Sequence, residues 1–190
     1  MMDYNHVEPK FMGAVAENKG CAVILAGSGS DDQPKSGGEF SHLGKIVAGL
    51  ERFNIPLEVR ICSAHKQPNE LYSLLNSYND LKGALVIIAV AGGTDALSGT
   101  ASFHSLHPVI SCPPDAPNQS CWTNPPGSSN LYLARPEDVG RAVAQLFSHL
   151  NPNYREKLRL SVVAKKYELV NADLKLSQKY GGGWIWSYEA

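Results

Sequence analysis

Apolar residues fall along the chain in blocks that predict alternating strands and helices. The clearest block is the apolar run at residues 21–26, which is typical of a strand covered by helices on both faces. Between such runs, apolar residues recur every three or four positions, as in an amphipathic helix. The predicted strands are residues 21–26, 57–62, 84–90, 108–112 and 131–133. The predicted helices are residues 41–53, 68–78, 96–104, 135–147 and 152–180.

This order predicts an α/β fold built on a parallel sheet. Strands and helices alternate with short connections, which is the signature of right-handed βαβ units. We therefore expect a single three-layer α/β/α domain of the flavodoxin-like type over residues 21–180, ending in a long C-terminal helix. Residues 1–20 show no sustained period and predict a flexible or partner-dependent arm.

The last predicted helix is longer than a sheet of this size can cover. About 28 residues at 1.5 Å per residue span about 42 Å. Because the helix still carries many apolar residues, we expect it to pack on another subunit. Residues 181–190 form a tail with three glycines and two tryptophans, for which disorder and insertion into a neighbour both stay open.

Three of the predicted strands end in segments rich in glycine and polar residues. These segments are residues 27–31, residues 63–66 and residues 91–95. Ligands of open α/β sheets bind outside the carboxyl ends of the strands, so the three segments together predict one site. Position alone makes His65 and Lys66 candidates for that site.

Each candidate also has a plain structural explanation. The backbone N–H groups of residues 27–30 can form an anion nest for a phosphate, but a Gly-Ser-Gly-Ser sequence is more commonly a turn. Asp31 can accept hydrogen bonds from ribose hydroxyls or cap a helix. Lys66 can be a solvated surface residue. The long polar segment 113–128 suits a loop that covers the substrate.

Composition and charge disfavour several classes of partner and function. The net charge of −1 gives no excess of positive charge with which to bind phosphates, so we expect no nucleic-acid partner. No apolar run approaches the roughly 18 residues of a membrane span, so we expect no membrane partner. The four cysteines form no C-x-x-C pair, which favours reduced thiols in the cytoplasm. A metal role for His104 and His107 is disfavoured, and we expect no metal site.

The motifs, taken in order, resemble those of the phosphoribosylaminoimidazole (AIR) carboxylases of purine biosynthesis. The matching segments are residues 27–31, Ser63-Ala64-His65-Lys66-Gln67-Pro68, residues 89–92 and residues 108–114, and the similarity extends over roughly residues 21–178. The resemblance implies an enzyme that adds carbon dioxide to 5-aminoimidazole ribonucleotide (AIR) and assembles as a homo-octamer. It implies His65 and Lys66 as catalytic residues. The substrate-binding residues that we infer are Gly27, Ser28, Ser30, Asp31, Ser63, Ala64, Gly92, Gly93 and Thr94.

The family has two branches that differ at this site. The N5-CAIR mutases carry Ser-Ala-His-Arg and a second histidine in a later loop, whereas class II enzymes carry Ser-Ala-His-Lys and use carbon dioxide directly. Lys66 agrees with class II, and Ala96 stands where the mutases have their second histidine. Gly93, however, replaces the arginine of class II. An N5-CAIR mutase, an altered paralogue that only binds a ribonucleotide, and a scaffold within an oligomer stay open as alternatives.

The chemistry implied for this family can be written with these residues. Carbon 4 of the aminoimidazole attacks carbon dioxide and must then lose its proton, which needs a base of near-neutral pKa such as histidine. His65 is the candidate base. Lys66 would stabilise the new carboxylate or hold the phosphate, assisted by the N–H groups of Gly92 and Gly93. The reaction written this way uses no metal and no organic cofactor.

Overall fold

The computed structural model describes residues 7–17, 19–32 and 40–181, and its centre is a five-stranded parallel sheet. The strands are β1 (Cys21–Ala26), β2 (Leu57–Ile61), β3 (Leu85–Val90), β4 (Val109–Ser111) and β5 (Leu131–Tyr132). The helices are α1 (Pro9–Ala16), α2 (His42–Arg52), α3 (Pro68–Asn79), α4 (Ala96–His104), α5 (Val139–Phe147) and α6 (Pro152–Tyr180). Short 3₁₀ helices lie at Gly29–Asp32, Gln119–Cys121 and Pro136–Asp138.

The strand order is β2-β1-β3-β4-β5, with every neighbouring pair parallel. This is the flavodoxin-like order, in which the connections reverse direction between β1 and β3. The predicted fold class, including the long C-terminal helix, is confirmed. Within the described ranges, no helix is both long and apolar enough to span a membrane.

The central strands β1 and β3 are buried on both faces of the sheet, which explains their continuous apolar runs. All six residues of β1 and all six of β3 are buried. On one face, Ile24 lies in a core cluster with residues of α2 and α5. On the other face, Val23 lies in a cluster with residues of α1, α3 and α4. The two clusters make the three layers that the sequence predicts.

The structure differs from the expected flexible arm over residues 1–20 in the part that it describes. Residues 9–16 form α1, and Phe11 and Val15 are 3% and 1% exposed in the same cluster as Val23. An eight-residue helix offers only a few apolar positions, too few to show a period against a mixed background. Residues 1–6 and 18 lie outside the described residues.

Helix α6 leaves the domain after its first few turns. Its first turn is fixed by Tyr154, whose hydroxyl donates a hydrogen bond of 2.8 Å to the carbonyl of Gly20. Of the 29 residues of α6, all within the described range, Tyr154 alone is buried. The helix ends at Gly181, which adopts the left-handed conformation with φ +68°. The expected packing on another subunit stays a prediction, and the predicted tail lies outside the described residues from residue 182 onward.

Helices α2 and α5 cross at a pair of glycines, and this crossing should not tolerate a side chain. A Cβ atom built on Gly140 would overlap the carbonyl group of Gly49. We expect Gly140→Ala to lower the free energy of unfolding by about 1–3 kcal/mol because the helices must separate. Denaturant unfolding at one protein concentration measures the change.

A matched control is available on α1. A Cβ atom at Gly13 would meet nothing within 4 Å. We expect Gly13→Ala to leave stability unchanged or to raise it by about 0.5–1 kcal/mol, because alanine favours the helix. A Gly140→Ala variant as stable as the parent chain would show that the two helices are not in close contact.

Candidate active site

Three loops leave the sheet at the same level and enclose a cleft of about 350 Å³. The final residues of β2, β1 and β3 are Ile61, Ala26 and Val90, and they are paired side by side in the sheet. The loops that follow are therefore neighbours, although up to 64 residues of sequence separate their starting points (90 − 26). This is the edge at which the sequence predicts the site.

The cleft brings together ten of the eleven candidate residues. Those that line it are Gly27, Ser28, Ser30, Asp31, Ser63, Ala64, His65, Lys66, Gly92 and Thr94. Gly93 does not line it. Three further residues, which are not among the eleven candidates, also line it: Ala91, Ala96 and Leu97. These three are apolar, so nothing in their chemistry marks them as site residues.

The first wall of the cleft, residues 27–31, is held by hydrogen bonds within the protein. The N–H of Gly27 extends the sheet by donating to the carbonyl of Val90 at 2.8 Å. The N–H of Ser28 donates to the Asp31 carboxylate at 2.9 Å, and the Ser28 hydroxyl donates to the same oxygen at 3.2 Å. Two of the four N–H groups proposed for an anion nest are therefore already bonded, and Asp31 closes the turn.

The second wall, residues 63–67, is a tight turn that presents His65 and Lys66 to the cleft. The N–H of Gln67 donates to the carbonyl of Ser63 at 2.8 Å, and the Gln67 side-chain oxygen accepts from the N–H of Ser63 at 3.3 Å. Both candidate catalytic side chains are exposed. The turn is short because Pro68 begins α3 directly after it.

The thiol beneath this turn is kept protonated. Burial raises the pKa of Cys62, and Glu70 raises it further, whereas Arg60 lowers it. The side chain is 1% exposed, and its sulfur lies 3.8 Å from the carbonyl oxygen of Gln67. Cys62 therefore supports the turn as a small apolar residue and is not a nucleophile.

The third wall, residues 91–97, differs from expectation at Gly93. Its N–H donates to the Asp115 carboxylate at 2.7 Å, and its carbonyl accepts from the side chains of Asn118 at 2.8 Å and Ser120 at 3.1 Å. Both polar groups of the Gly93 backbone therefore face segment 113–128 instead of the cleft. The expected contribution of the Gly93 N–H to ligand binding is not available in this arrangement.

Segment 113–128 holds the third wall and does not cover the cleft. None of its described residues lines the cleft. Its polar side chains are used internally; Asn118, for example, is 6% exposed and bonds to both Gly93 and Asp115. The polar composition of this segment led us to expect a loop that covers the substrate, and the sequence could not show which partners its polar residues bond.

Other candidate histidines have structural roles. His107 forms a hydrogen bond of 2.9 Å with the carbonyl of Tyr78 through Nε2. The ring of His104 packs edge-on against Tyr72 and Phe103, with ring centroids 5.2 and 5.0 Å apart. Both histidines thus join neighbouring elements of the fold.

Comparison with known proteins gives consistent matches over most of the chain. The sequence model of the AIR carboxylase family matches residues 24–166. A phosphoribosylaminoimidazole carboxylase of Archaeoglobus fulgidus is 32% identical over 161 residues, covering 82% of this chain and 84% of that protein. The crystal structure of Treponema denticola PurE superposes with a TM-score of 0.72 at 28% identity, covering 82% of this chain and 98% of that one.

Some relatives are much longer than this chain. The human bifunctional phosphoribosylaminoimidazole carboxylase/phosphoribosylaminoimidazole succinocarboxamide synthetase is 32% identical over 86% of this chain. The chain spans 38% of the length of that protein. The similarity therefore concerns one part of the human protein.

The hydrogen bonds of Asp31 predict that it stabilises the first wall. We expect Asp31→Ala to lower the free energy of unfolding by about 1 kcal/mol, because the Ser28 N–H loses its acceptor. Hydrogen exchange of the peptide containing residues 27–31 should become faster. The control is Asp32→Ala, since the exposed Asp32 carboxylate bonds only to the Ser41 hydroxyl among the contacts described, and should change stability by less than about 0.5 kcal/mol. Equal effects of the two substitutions would contradict the assignment.

Proposed function

The chain belongs to the AIR carboxylase family, and we propose that it converts AIR to its carboxylated product CAIR with carbon dioxide, a step of purine biosynthesis. The observation that carries the proposal is the position of the His65–Lys66 turn. That turn opens into the same cleft as the loop after β1 and the wall after β3. A base, a cation and two loops of small residues thus surround one ligand-sized space.

The proposed reaction forms one carbon–carbon bond and releases one proton. Carbon 4 of the aminoimidazole attacks the carbon of carbon dioxide, whose oxygens take up the electron pair as a carboxylate. His65 then accepts the proton from carbon 4, which restores the aromatic ring. Because His65 is exposed, it can pass the proton to water. The ammonium group of Lys66 lies on the same turn and would stabilise the carboxylate as it forms.

The cleft favours direct use of carbon dioxide over the mutase alternative. Ala96 lines the cleft, and by the family resemblance it stands where the mutases have their second histidine. Among the described residues that line the cleft, His65 is the one histidine. A single imidazole suffices for one proton transfer at carbon 4, so we propose the class II reaction and keep the mutase as an outcome of the test.

The role of His65 is tested in the reverse direction, by decarboxylation of CAIR. We expect His65→Asn to lower kcat by about 10²–10⁴-fold, because the proton carrier is lost. Affinity for AIR should stay within about tenfold, since the walls that contact the ribotide are intact. Ultraviolet absorbance follows the reaction, and calorimetric titration measures the affinity.

His149→Asn is the matched control for this substitution. His149 is exposed and lies between α5 and α6, outside the cleft. The His149→Asn variant should retain parental activity. Activity in His65→Asn equal to that of His149→Asn would remove His65 from the mechanism. Binding of AIR without any turnover by the parent chain would favour the ribonucleotide-binding module.

We also propose that the protein is a homo-oligomer, an octamer as the family resemblance implies, in which α6 packs on a second copy. The exposed apolar residues of α6 follow a spacing of three and four, as in the seam of a coiled coil. These residues are Leu160, Val163, Tyr167, Val170 and Leu174. A second row with a spacing of seven widens this face and consists of Val162, Leu169 and Leu176. An apolar face this long supports burial against another chain.

Charges introduced on this face should break the assembly. We expect the double variant Val163→Glu/Val170→Glu to sediment as a smaller species than the parent chain, because two carboxylates would have to be buried. Lys175→Glu changes the charge of α6 away from the seam and should leave the sedimentation coefficient unchanged. A monomeric parent chain, or a double variant that assembles like the parent, would contradict the proposal.

We propose a cytoplasmic location. The four cysteines are free and buried, which is consistent with a reducing compartment. The substrate and carbon dioxide are small molecules that reach the cleft from solution. Fractionation of cells that express a tagged chain would test the location.

A further inference from the structure

The third wall of the cleft is held by a group of side chains outside the proposed chemistry. Asp115 and Asn118 bond to Gly93, as described above, and Ser120 bonds to both Gly93 and Asp95. We call Asp95, Asp115, Asn118, Ser120 and Cys121 the loop clamp. The clamp joins the loop after β3 to a segment more than 20 residues later in the chain.

At the centre of the loop clamp lies a buried carboxylate. Asp95 is 3% exposed, and its Oδ1 accepts from the N–H of Ser98 at 2.9 Å, which caps the first turn of α4. Its Oδ2 accepts from the thiol of Cys121 at 3.0 Å, and its own N–H donates to the Ser120 hydroxyl at 2.8 Å. Each oxygen of this buried carboxylate therefore has a donor, and Cys121 supplies one of the two.

The thiol can act as this donor because it stays protonated. Burial raises the pKa of Cys121, and the hydrogen bond and charge of Asp95 raise it further. The side chain is 3% exposed. Removing the S–H would leave the Asp95 Oδ2 atom buried without its donor, which is costly for a carboxylate. The carboxylate would then move toward solvent and take the backbone of the third wall with it.

We propose, on the basis of the carboxylase function above, that Cys121 is a positioning residue for the active site. Its S–H fixes the Asp95 carboxylate, and Asp95 together with Ser120 fixes the Gly92 and Thr94 positions that line the cleft. Cys121 itself does not line the cleft and touches no reacting atom. Its effect on the reaction therefore runs through the third wall.

The test compares three substitutions at two buried cysteines. Cys121→Ala removes the donor, whereas Cys121→Ser keeps a hydroxyl donor in its place. Cys21→Ala removes a buried thiol at the opposite end of β1, where the lost packing should not reach the cleft. Each variant is measured for kcat and KM with AIR, for its dissociation constant with AIR, and for hydrogen exchange of the peptide containing residues 92–97.

We expect Cys121→Ala to lower kcat/KM at least tenfold and to speed hydrogen exchange of this peptide. A small displacement of the groups that position a substrate strongly lowers the reaction rate. Cys121→Ser should stay within threefold of the parent in both measurements, and Cys21→Ala should change neither. Parental kcat/KM in Cys121→Ala, or a loss in Cys121→Ser as large as in Cys121→Ala, overturns the proposal. If Cys121→Ala does not fold, Cys121→Val replaces it, with the same expected loss, because valine fills the space of the thiol but cannot donate a hydrogen bond to Asp95.

These measurements distinguish failure of the carboxylase proposal from failure of the positioning role of Cys121. If the parent chain does not turn over AIR, the carboxylase proposal fails, and exchange of the 92–97 peptide together with AIR affinity still decides the role of Cys121. Faster exchange and weaker binding in Cys121→Ala, both restored in Cys121→Ser, support the positioning role. Unchanged exchange or unchanged affinity in Cys121→Ala contradicts it.

Discussion

The parallel sheet has to bury both of its faces, and the remaining structure depends on this requirement. Strand β1 has no exposed residue, so it can carry no polar side chain for chemistry along its length. Along β1 and β3, polar residues appear only after the strand ends. Because β2, β1 and β3 end in register, the polar residues of three distant segments meet at one edge. The burial of the sheet thus determines where the site is.

Features that depend on local pattern were predictable from the sequence. The apolar runs of β1 and β3 and the helical spacing of α2 and α3 gave the correct elements and order. The positions of His65 and Lys66 followed from the end of β2. By contrast, α1 was missed because Phe11 and Val15 are a weak signal in an eight-residue helix.

Features that depend on particular long-range hydrogen bonds were not predictable. The sequence shows that Gly93 can adopt a positive φ. It does not show that the carboxylate of Asp115, 22 residues away, accepts a hydrogen bond from the Gly93 N–H. Likewise, the N–H groups of Gly27 and Ser28 look available for an anion until Val90 and Asp31 are seen to accept from them. Such partners are set by the packing of whole loops, which a single sequence does not encode locally.

The site combines an exposed turn with a restrained wall. His65 and Lys66 are accessible, as the proposed proton exchange and the proposed contact with a charged ligand require. The wall opposite is held in part by the buried hydrogen bonds of Asp95 to Ser98 and Cys121, and such bonds are strong where water is excluded. This division would let the proposed reactive groups stay solvated while the loop that lines the cleft keeps its shape.

The most direct test of this account is the substrate that the parent chain turns over. Purified protein is mixed either with AIR and bicarbonate, as the source of carbon dioxide, or with N5-CAIR, and formation of CAIR is followed by ultraviolet absorbance. We expect CAIR to form from AIR and carbon dioxide. Formation of CAIR from N5-CAIR alone, or from neither substrate, would contradict it.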